Sequence, residues 1–456
     1  MSDSFGYRLF DTHAHLCFDS FDRDLEEVLR RARRAGVRDV LVPGTDPPSS
    51  IKAARMATVY EGLWAAVGVH PNEIEAVGDE GMEAIARTAL RPRVVAIGET
   101  GMDLYRKGSP PAKQREWLRR HLELARALGR TLVAHSRAAE AEVVDAIGSC
   151  DPVPVVLHCY TGPVKLAVEA ARRGCYVGLA GPVTYRSNRS LRELAGRLPP
   201  ERMLIETDSP FLSPEPRRGS RNQPANLELV LQVVARAMGA DPAGTASLLL
   251  DNSCRAFGVG EHRRTDLFYV LDGKMYVNLT GRCDNDCTFC IRNYQDGIDG
   301  YFLQHDSEPD PDRLRSGLAL VRPDWFEEIV FCGYGEPTMR LGLLSELAEA
   351  LSARGIPVRL NTNGLALSRI PEERVRRMVS LFDRVSVSLN APDEESYRRI
   401  SRPSAKNAWH YLQRFIDLCR EIGCGLELTA VRGCGVSMKA CEALAGSKGL
   451  RFRARG

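Results

Sequence analysis

The chain has 456 residues, of which 44% are hydrophobic and 27% charged, and this length predicts two or three domains, each with its own core. No apolar run is long enough to span a bilayer and no export signal opens the sequence, so we expect a cytoplasmic protein without a membrane partner. The net charge of +3 is spread evenly, which excludes a basic arm for nucleic-acid binding and means that any polyanion must be bound locally.

Eight short apolar runs alternate with segments of helical period in the first half of the chain, a pattern typical of a parallel sheet wrapped by helices. The runs are YRLF, DVLVPG, LWAAVGV, RVVAIGE, TLVAH, PVVLH, CYVGL and RMLIE. Eight strand–helix units match a closed (β/α)8 TIM barrel, whose active site lies at the carboxyl ends of its strands. The later segment NLELVLQVVARAMGADPAGTASLLLDNSCRAF predicts two closing helices.

The alternation starts again after a polar stretch, GVGEHRRTD. Six further apolar runs predict a partial (β/α)6 barrel: KMYVNL, EEIVFCG, PVRLNTNG, RVSVSLN, GLELTAV and RFRARG. We therefore expect an α/β protein with one barrel over residues 1–258, a linker over 259–267 and a second domain over 268–456.

Potential metal ligands follow directly on the apolar runs of the first barrel. FDTHAH places two histidines on alternate residues, so an extended backbone directs both imidazoles to one side. Six such residues end the predicted strands: His13, His15, Glu99, His135, His158 and Asp208. Together they suit two divalent ions, Zn²⁺, Mn²⁺ or Mg²⁺, bridged by Glu99, and this explains them better than six ordinary core residues would. Asp11 is expected to orient one of the imidazoles.

Seven motifs occur in order across this barrel: DTHAHL, GVHPNE, GETGMDLY, HSR, HCYTG, ETDSPFLSP and RGSRNQP. Residues 8 to about 258 thereby resemble the TatD family of metal-dependent hydrolases and nucleases. The resemblance implies hydrolysis of phosphodiester bonds in DNA or RNA and the six metal ligands above. It implies catalytic roles for Glu99 and Asp208, with His70 and Asp103 as further active-site residues.

Three arginines and one histidine complete the candidates of the first barrel. The resemblance places Arg218 in a loop that can hold substrate phosphate, and we expect Arg221 to contribute to it. Solvated loop charge is the alternative for both, and for Arg217. His121, in the helical segment WLRRHLELARAL, is expected at the surface.

Thirteen cysteines in a chain without an export signal predict reduced thiols or metal ligands rather than disulfides. Cys283, Cys287 and Cys290 lie in the single loop RCDNDCTFCIRN. Three thiolates can hold three irons of a [4Fe–4S] cluster, which leaves the fourth iron open. An open iron can bind the amino and carboxylate groups of S-adenosylmethionine (SAM), whose reductive cleavage yields a 5′-deoxyadenosyl radical.

Residues from about 268 to 456 resemble the radical SAM superfamily. The match begins with the C-x3-C-x2-C loop and the aromatic residue before its last cysteine. CGYGEPT is similar to the glycine-rich motif that receives the methionine amino group, and NTNG and SLNAPD are similar to later strand ends that line the SAM pocket. The implied cofactor contacts, beyond the three cysteines, are Phe289, Gly333, Gly335, Glu336, Asn361, Asn363, Ser388 and Asn390. A flavodoxin or ferredoxin is the implied electron donor.

Two alternatives concern metal binding in the second half. His305 could complete a Cys3His zinc site with the loop cysteines, but zinc explains neither GYGEP nor the sixfold alternation. Three widely spaced cysteines could hold an auxiliary cluster, although the spacing favours ordinary buried thiols: Cys424, Cys434 and Cys441. Cys159 and Cys332, at strand ends, are expected to have packing roles.

Two chemistries on one chain predict a bifunctional enzyme, a two-metal phosphodiester or phosphoester hydrolase joined to a radical SAM enzyme, acting on a nucleotide or nucleic-acid derivative. In one alternative, the second half makes a modified nucleobase or small metabolite and the hydrolase is accessory. In another, the second half is a non-catalytic iron–sulfur sensor that regulates a nuclease.

Overall fold

The computed structural model describes residues 6–106, 108–148, 150–322 and 324–456. The chain divides into two compact units, of which the first ends at Arg264 and the second begins at Thr265. Both units alternate strands and helices, as the sequence predicts. Within the described residues, no helix has the length and apolar character that crossing a membrane requires.

Eight parallel strands in sequence order build the first unit, and each corresponds to one predicted apolar run. They are β1 (Leu9–Asp11), β2 (Val37–Pro43), β3 (Leu63–Val67), β4 (Val94–Asp103), β5 (Thr131–Arg137), β6 (Val155–Leu157), β7 (Tyr176–Leu179) and β8 (Met203–Ile205). The chain segments after β1 and β8 meet through a parallel bridge between Ala14 and Ser209, and the Thr12 N–H donates to the Ile205 carbonyl at 3.3 Å. The sheet thus nearly closes, in the manner of the predicted TIM-type barrel.

The helices of this unit follow its strands. They are α1 (Leu25–Arg34), α2 (Pro47–Val59), α3 (Ile74–Thr88), α4 (Pro111–Leu128), α5 (Glu140–Ile147), α6 (Val164–Arg172), α7 (Arg189–Arg197), α8 (Leu227–Met238) and α9 (Pro242–Phe257). The last two are the predicted closing helices, and each ends at a glycine in the left-handed conformation. Phe257 of α9 packs against Phe10 of β1, with ring centroids 5.8 Å apart, inside the buried apolar core of the barrel.

Two features of the first unit contradict the expectations from the sequence. His121 in α4 is fully buried rather than exposed, because its Nε2 accepts the Val69 N–H at 3.0 Å and its Nδ1 donates to the Trp117 carbonyl at 2.8 Å. Cys150 and Cys175 form a disulfide, since the segments before β6 and β7 bring their Cα atoms to 5.9 Å. The other eleven cysteines are free thiols.

The second unit contains six parallel strands, which match the predicted runs, and three further strands in antiparallel pairs. Its strands are β9 (Phe268–Leu271), β10 (Lys274–Val277), β11 (Gly297–Ile298), β12 (Tyr301–Phe302), β13 (Ile329–Phe331), β14 (Val358–Thr362), β15 (Arg384–Ser388), β16 (Gly425–Val431) and β17 (Arg451–Arg455). The main sheet has the order β17-β16-β15-β14-β13-β10-β9. β9 is antiparallel to β10 and extends the predicted six strands to seven.

The turn between β9 and β10 explains this additional strand. Asp272 and Gly273 both have positive φ, 48° and 74°, as a tight hairpin requires. The helices of the unit are α10 (Pro311–Ala319), α11 (Leu341–Ser352), α12 (Glu372–Val379), α13 (Glu394–Ser401), α14 (Ala408–Ile422) and α15 (Met438–Ser447). The parallel strands and their helices form the predicted partial (β/α)6 arrangement.

Candidate metal centre and cysteine loop

The first candidate site lies at the carboxyl ends of the barrel strands. Its residues follow β1, β6 and β8 or lie within β4 and β5: His13, His15, His158, Asp208, Glu99 and His135. β4 approaches β5 closely at Gly101, whose φ is +141°. The position requires glycine, because a Cβ there would collide with the carbonyl oxygen of His135. This close pairing fixes the position of His135 relative to β4.

Four side-chain atoms meet in a first group. The Nε2 atoms of His13 and His15 lie 3.3 Å apart, and they are 3.3 and 3.4 Å from Glu99 Oε2. Asp208 Oδ1 lies 3.9 Å from His13 Nε2 and 3.5 Å from His15 Nε2. Four tetrahedral ligands of a divalent ion would lie about 3.3–3.6 Å from one another. The spacing of this group therefore fits one such ion.

The other oxygen of Glu99 belongs to a second group. Glu99 Oε1 lies 2.9 Å from both His135 Nδ1 and His158 Nε2, and these two nitrogens are 3.2 Å apart. His70 Nε2 is 3.6 Å from the same oxygen. One carboxylate thus faces both groups of ligand atoms, which is the geometry of a bridge between two ions.

Burial and crowding shift the pKa values of these side chains. Burial opposes ionisation of Glu99, but the imidazoles of His158, His13 and His135 hold its pKa well below the usual range. Burial also lowers the pKa of His70, to about 3. Burial works against a charged His158 as well, yet Glu99 raises the pKa of that imidazole well above its usual value. A cation bound here would displace the histidine proton. It would then replace the imidazolium as the positive charge that faces the carboxylate.

The second candidate site is the loop that follows β10. The thiols of Cys283, Cys287 and Cys290 are partly buried, and the Cys290 N–H donates to the Cys287 carbonyl at 3.1 Å. The Asn285 N–H points to Cys283 Sγ at 3.4 Å, and Cys287 Sγ lies 3.6 Å from the Ser401 carbonyl. Burial raises the pKa of Cys283 to about 12 and that of Cys287 to about 11. Iron binding would therefore have to displace their protons.

Glu336 connects the end of β13 to the end of β14. The carboxylate is almost fully buried and accepts from the Thr338 hydroxyl at 2.7 Å, the Thr362 hydroxyl at 2.8 Å and the Asn363 N–H at 2.7 Å. The Asn363 side-chain amide in turn donates to Asp284 Oδ1, inside the cysteine loop, at 2.5 Å. The three motifs thus form one hydrogen-bonded network. In this network, Glu336 holds the strand ends together.

Two glycines let the GYGEP segment approach this loop. A Cβ on Gly335 would collide with the carbonyl oxygens of Thr280 and Arg282, and one on Gly333 would collide with Asn278. The amide oxygens of two further candidates, Asn361 and Asn390, are buried without a hydrogen-bond partner. Such orphaned acceptors fit a polar ligand at these strand ends.

The positions of the remaining predicted SAM contacts, Ser388 and Phe289, do not by themselves indicate a ligand. Ser388 accepts from Arg455 at 2.8 Å, and Phe289 is half-buried beside Cys290.

Comparison with known proteins assigns both units. Residues 10–258, more than half of the chain, match the model of the TatD-related DNases. The chain belongs to the TatD-related DNase family. Residues 277–445 match the radical SAM superfamily, so a radical SAM domain follows the TatD domain. Both are families of enzymes, as predicted.

Relatives with known names or structures match the TatD domain. An uncharacterized metal-dependent hydrolase, YabD of Bacillus subtilis, is 35% identical over 55% of this chain and 99% of its own length. A 3′-5′ ssDNA/RNA exonuclease, TatD of Cronobacter sakazakii, is 38% identical over 55% of this chain and 97% of its length. The crystal structure of the TatD homologue YJJV from Escherichia coli matches with a TM-score of 0.53 and 29% identity, covering 56% of this chain and 99% of that one.

Sequence reasoning missed one carboxylate of the TatD domain. Glu206 is fully buried, with its Oε1 3.6 Å from His158 Nδ1 and its Oε2 accepting the Thr12 hydroxyl at 3.2 Å. The Cys159 N–H also donates to Glu206. Its position two residues before Asp208 is the signal that could have revealed it, since an extended backbone directs alternate residues to one side.

Asp11 acts on the backbone, contrary to the prediction that it orients an imidazole. Its carboxylate accepts the His13 N–H at 3.3 Å, the Thr207 N–H at 2.9 Å and the Thr207 hydroxyl at 2.6 Å. Burial raises its pKa to about 8. Asp11 therefore ties the end of β1 to the segment after β8.

Asp103 lies beside the second ligand group. Its Oδ2 is 3.9 Å from His135 Nε2, and its Oδ1 accepts the N–H groups of Tyr105 and Arg106, both at 3.0 Å. Burial opposes its ionisation, but the nearby His135 imidazole and the bond from the Arg106 N–H lower its pKa below the usual range. Asp103 thus anchors the loop after β4 next to His135.

The two arginines of the TatD domain predicted to bind substrate occupy different environments. The Arg218 guanidinium lies 4.2 Å from the centroid of the Tyr185 ring. Arg221 donates to the Asp24 carboxylate at 2.6 and 2.9 Å and also to the Ser20 carbonyl. The contact of both guanidinium groups with substrate stays a prediction.

The thiol positions in the radical SAM domain bear on the zinc alternative. Tetrahedral thiolates around zinc would have their sulfurs about 3.8 Å apart. Among the described residues, the loop cysteines form no group of three within 4.8 Å, either with one another or with His305. Nor do the cysteines of the proposed auxiliary site, Cys424, Cys434 and Cys441, form such a group.

Proposed function

We propose that this chain is a bifunctional enzyme of the cytoplasm, with a two-metal phosphodiester or phosphoester hydrolase over residues 1–258, a linker over 259–267 and a radical SAM enzyme over 268–456. Family membership supports the two enzyme classes. The relative from Cronobacter sakazakii is a 3′-5′ ssDNA/RNA exonuclease, which favours single-stranded nucleic acid, or a nucleotide derived from it, as the substrate.

The observation that carries the hydrolase half is the position of Glu99, whose two oxygens face two separate groups of ligand atoms at 2.9 to 3.4 Å. Zn²⁺, Mn²⁺ or Mg²⁺ at the two groups would supply Lewis acidity to the phosphoryl oxygens. Burial opposes ionisation of Asp208, but the neighbouring His15 lowers the pKa of this carboxyl, and Asp208 would accept the proton of the attacking water. His70, kept neutral by burial, would donate a hydrogen bond to a substrate oxygen.

Cleavage assays test this half directly. Full-length protein with Mn²⁺ or Mg²⁺ is incubated with end-labelled single-stranded DNA, RNA and nucleotide esters, and products are resolved by length. We expect cleavage by the wild type and its loss in Glu99→Ala. Failure to turn over any phosphoester would assign the hydrolase to another substrate class.

The radical half is supported by the hydrogen-bonded network that joins the cysteine loop to Glu336 and Asn363. The loop cysteines would hold a [4Fe–4S] cluster, which together with SAM supplies a 5′-deoxyadenosyl radical on reduction. Gly333 and Gly335 would give the methionine end of SAM access to backbone groups, and Asn361, Ser388 and Asn390 would offer hydrogen bonds to the rest of the cofactor. A flavodoxin or ferredoxin would deliver the electron.

Release of 5′-deoxyadenosine is the corresponding measurement. Anaerobically reconstituted protein, given SAM and dithionite, should release it, and Cys287→Ser should not. A wild-type protein that keeps its cluster but releases none in the presence of nucleotide substrates would favour the sensing module over the enzyme.

A further inference from the structure

A cavity of about 570 Å³ opens beside the metal centre, between the loops that follow β1, β2 and β8. This is within the range of small-molecule sites, so the cavity is large enough to hold a nucleoside. Phe18 lines it and stacks on the imidazole of His15, with centroids 4.5 Å apart and rings inclined by 13°. Through the Phe18 ring, the cavity therefore adjoins the first ligand group.

Phe211 forms a second aromatic wall of the cavity. Its ring stands at 72° to Phe18, with centroids 6.2 Å apart, and it is 50% exposed although large and apolar. The two rings make a corner that an inserted planar group could cover. Base stacking on such exposed rings binds single-stranded nucleic acid regardless of sequence.

The charges around the cavity restrict what can enter. Lys52 is the cation of its lining, and it already pairs with Asp22 at 2.7 Å. Asp19 and Asp46 add two carboxylates to the same lining. A phosphate in this space would be repelled, whereas an uncharged ring would not.

We propose that this cavity is a nucleobase subsite, which holds the base of the terminal nucleotide while the adjoining phosphodiester lies at the metal centre. Its lining, with two carboxylates and one lysine, disfavours a further phosphate, so we expect the strand to end there. This inference rests on the proposed hydrolase function and adds to it the part of the substrate that is recognised.

Base deletion at the strand ends tests the subsite. Full-length protein with Mn²⁺ is assayed on a single-stranded oligonucleotide and on two versions with an abasic tetrahydrofuran residue at the 3′ or the 5′ end. For the wild type we expect one of the two abasic ends to lower kcat/KM about tenfold, as loss of one stacked base does. Phe211→Ala should lose a similar factor on the intact strand and no longer distinguish it from the abasic one, whereas Phe211→Tyr should behave as wild type.

Two controls separate this result from general damage. Val59→Ala removes another exposed apolar side chain, at the end of α2, and should leave every rate unchanged. Metal content and Tm of Phe211→Ala should equal those of the wild type. Wild-type protein that cleaves intact and abasic strands equally overturns the subsite alone, as does Phe211→Ala that still discriminates between them. Absence of cleavage on every strand overturns the proposed function together with it.

Discussion

Glu99 Oε1 lies 2.9 Å from His158 Nε2, and both side chains are almost completely shielded from solvent. Replacing this carboxylate with the amide in Glu99→Gln removes the charge that two ions would share. We expect the variant to lose bound metal, measured by elemental analysis, and to cleave oligonucleotides about 100-fold or more slowly. Glu193→Gln, which alters an exposed carboxylate on α7, should keep its bound metal and its cleavage rate. If Glu99→Gln kept two ions and full activity, Glu99 would not be a ligand of the metal centre.

The cysteine loop predicts that the iron content of the protein depends on the three loop thiols and on no other cysteine that is tested. Anaerobically reconstituted wild type should be brown and hold about four irons per chain. Cys287→Ser should lose most of this iron, because one corner of the cluster loses its thiolate. Cys434→Ser changes a thiol outside the loop and should keep it. A colourless wild type with a single zinc would contradict the cluster.

The close approach of the GYGEP segment to the cysteine loop predicts that Gly335→Ala is destabilising. The added methyl meets two backbone carbonyls that have no flexible side chain to move, so we expect a loss of about 1–3 kcal/mol and weaker SAM binding in equilibrium dialysis. Gly342→Ala is the matched control, since a Cβ there, in α11, meets no atom within 4 Å. The control should be as stable as the wild type or slightly more so. Equal SAM affinity in both variants would argue against this segment as a SAM contact.

Burial of His121 predicts a pH dependence of stability. Burial lowers its pKa from the ordinary 6.5 to about 4, so between these values the unfolded chain takes up a proton that the folded chain excludes. Stability from this group is present above pH 6.5 and is lost as the pH falls, by about 2 kcal/mol at pH 5.

The test compares the fall in Tm of metal-free protein from pH 7 to pH 5. His121→Gln, whose amide oxygen can accept the Val69 N–H without titrating, should show a smaller fall than the wild type. His410→Gln, at an exposed position of α14, should behave as the wild type does. An identical fall in all three proteins would show that His121 contributes nothing to the pH dependence.

Much of the architecture could be predicted because its signals are local. An apolar run followed by a histidine or a carboxylate predicts both a buried strand and its functional end, and this placed Glu99 and His135 near one another without any knowledge of the packing. The three cysteines of the loop were an equally local signal, since they lie within eight residues of one another. The patterns predicted a bridging Glu99, but they could not assign each of the other ligands to one of its two oxygens.

The wrong predictions have physical reasons as well. His121 was expected at the surface because arginines precede it, but it shares a helix face with Trp117 and Leu118, and the apolar period would have revealed its burial. The Cys150–Cys175 disulfide joins two separate loops, which spacing along the chain cannot indicate. The β9 strand was missed although its Asp-Gly turn was a usable signal.

The bonds from Thr207 to Asp11 join segments that are 196 residues apart in the chain. The same seam brings His13 and His15 to Asp208, so the first ligand group needs both ends of the barrel. During synthesis the two histidines leave the ribosome long before their partner carboxylate. A nascent chain thus cannot assemble the first ligand group until the whole barrel has been translated.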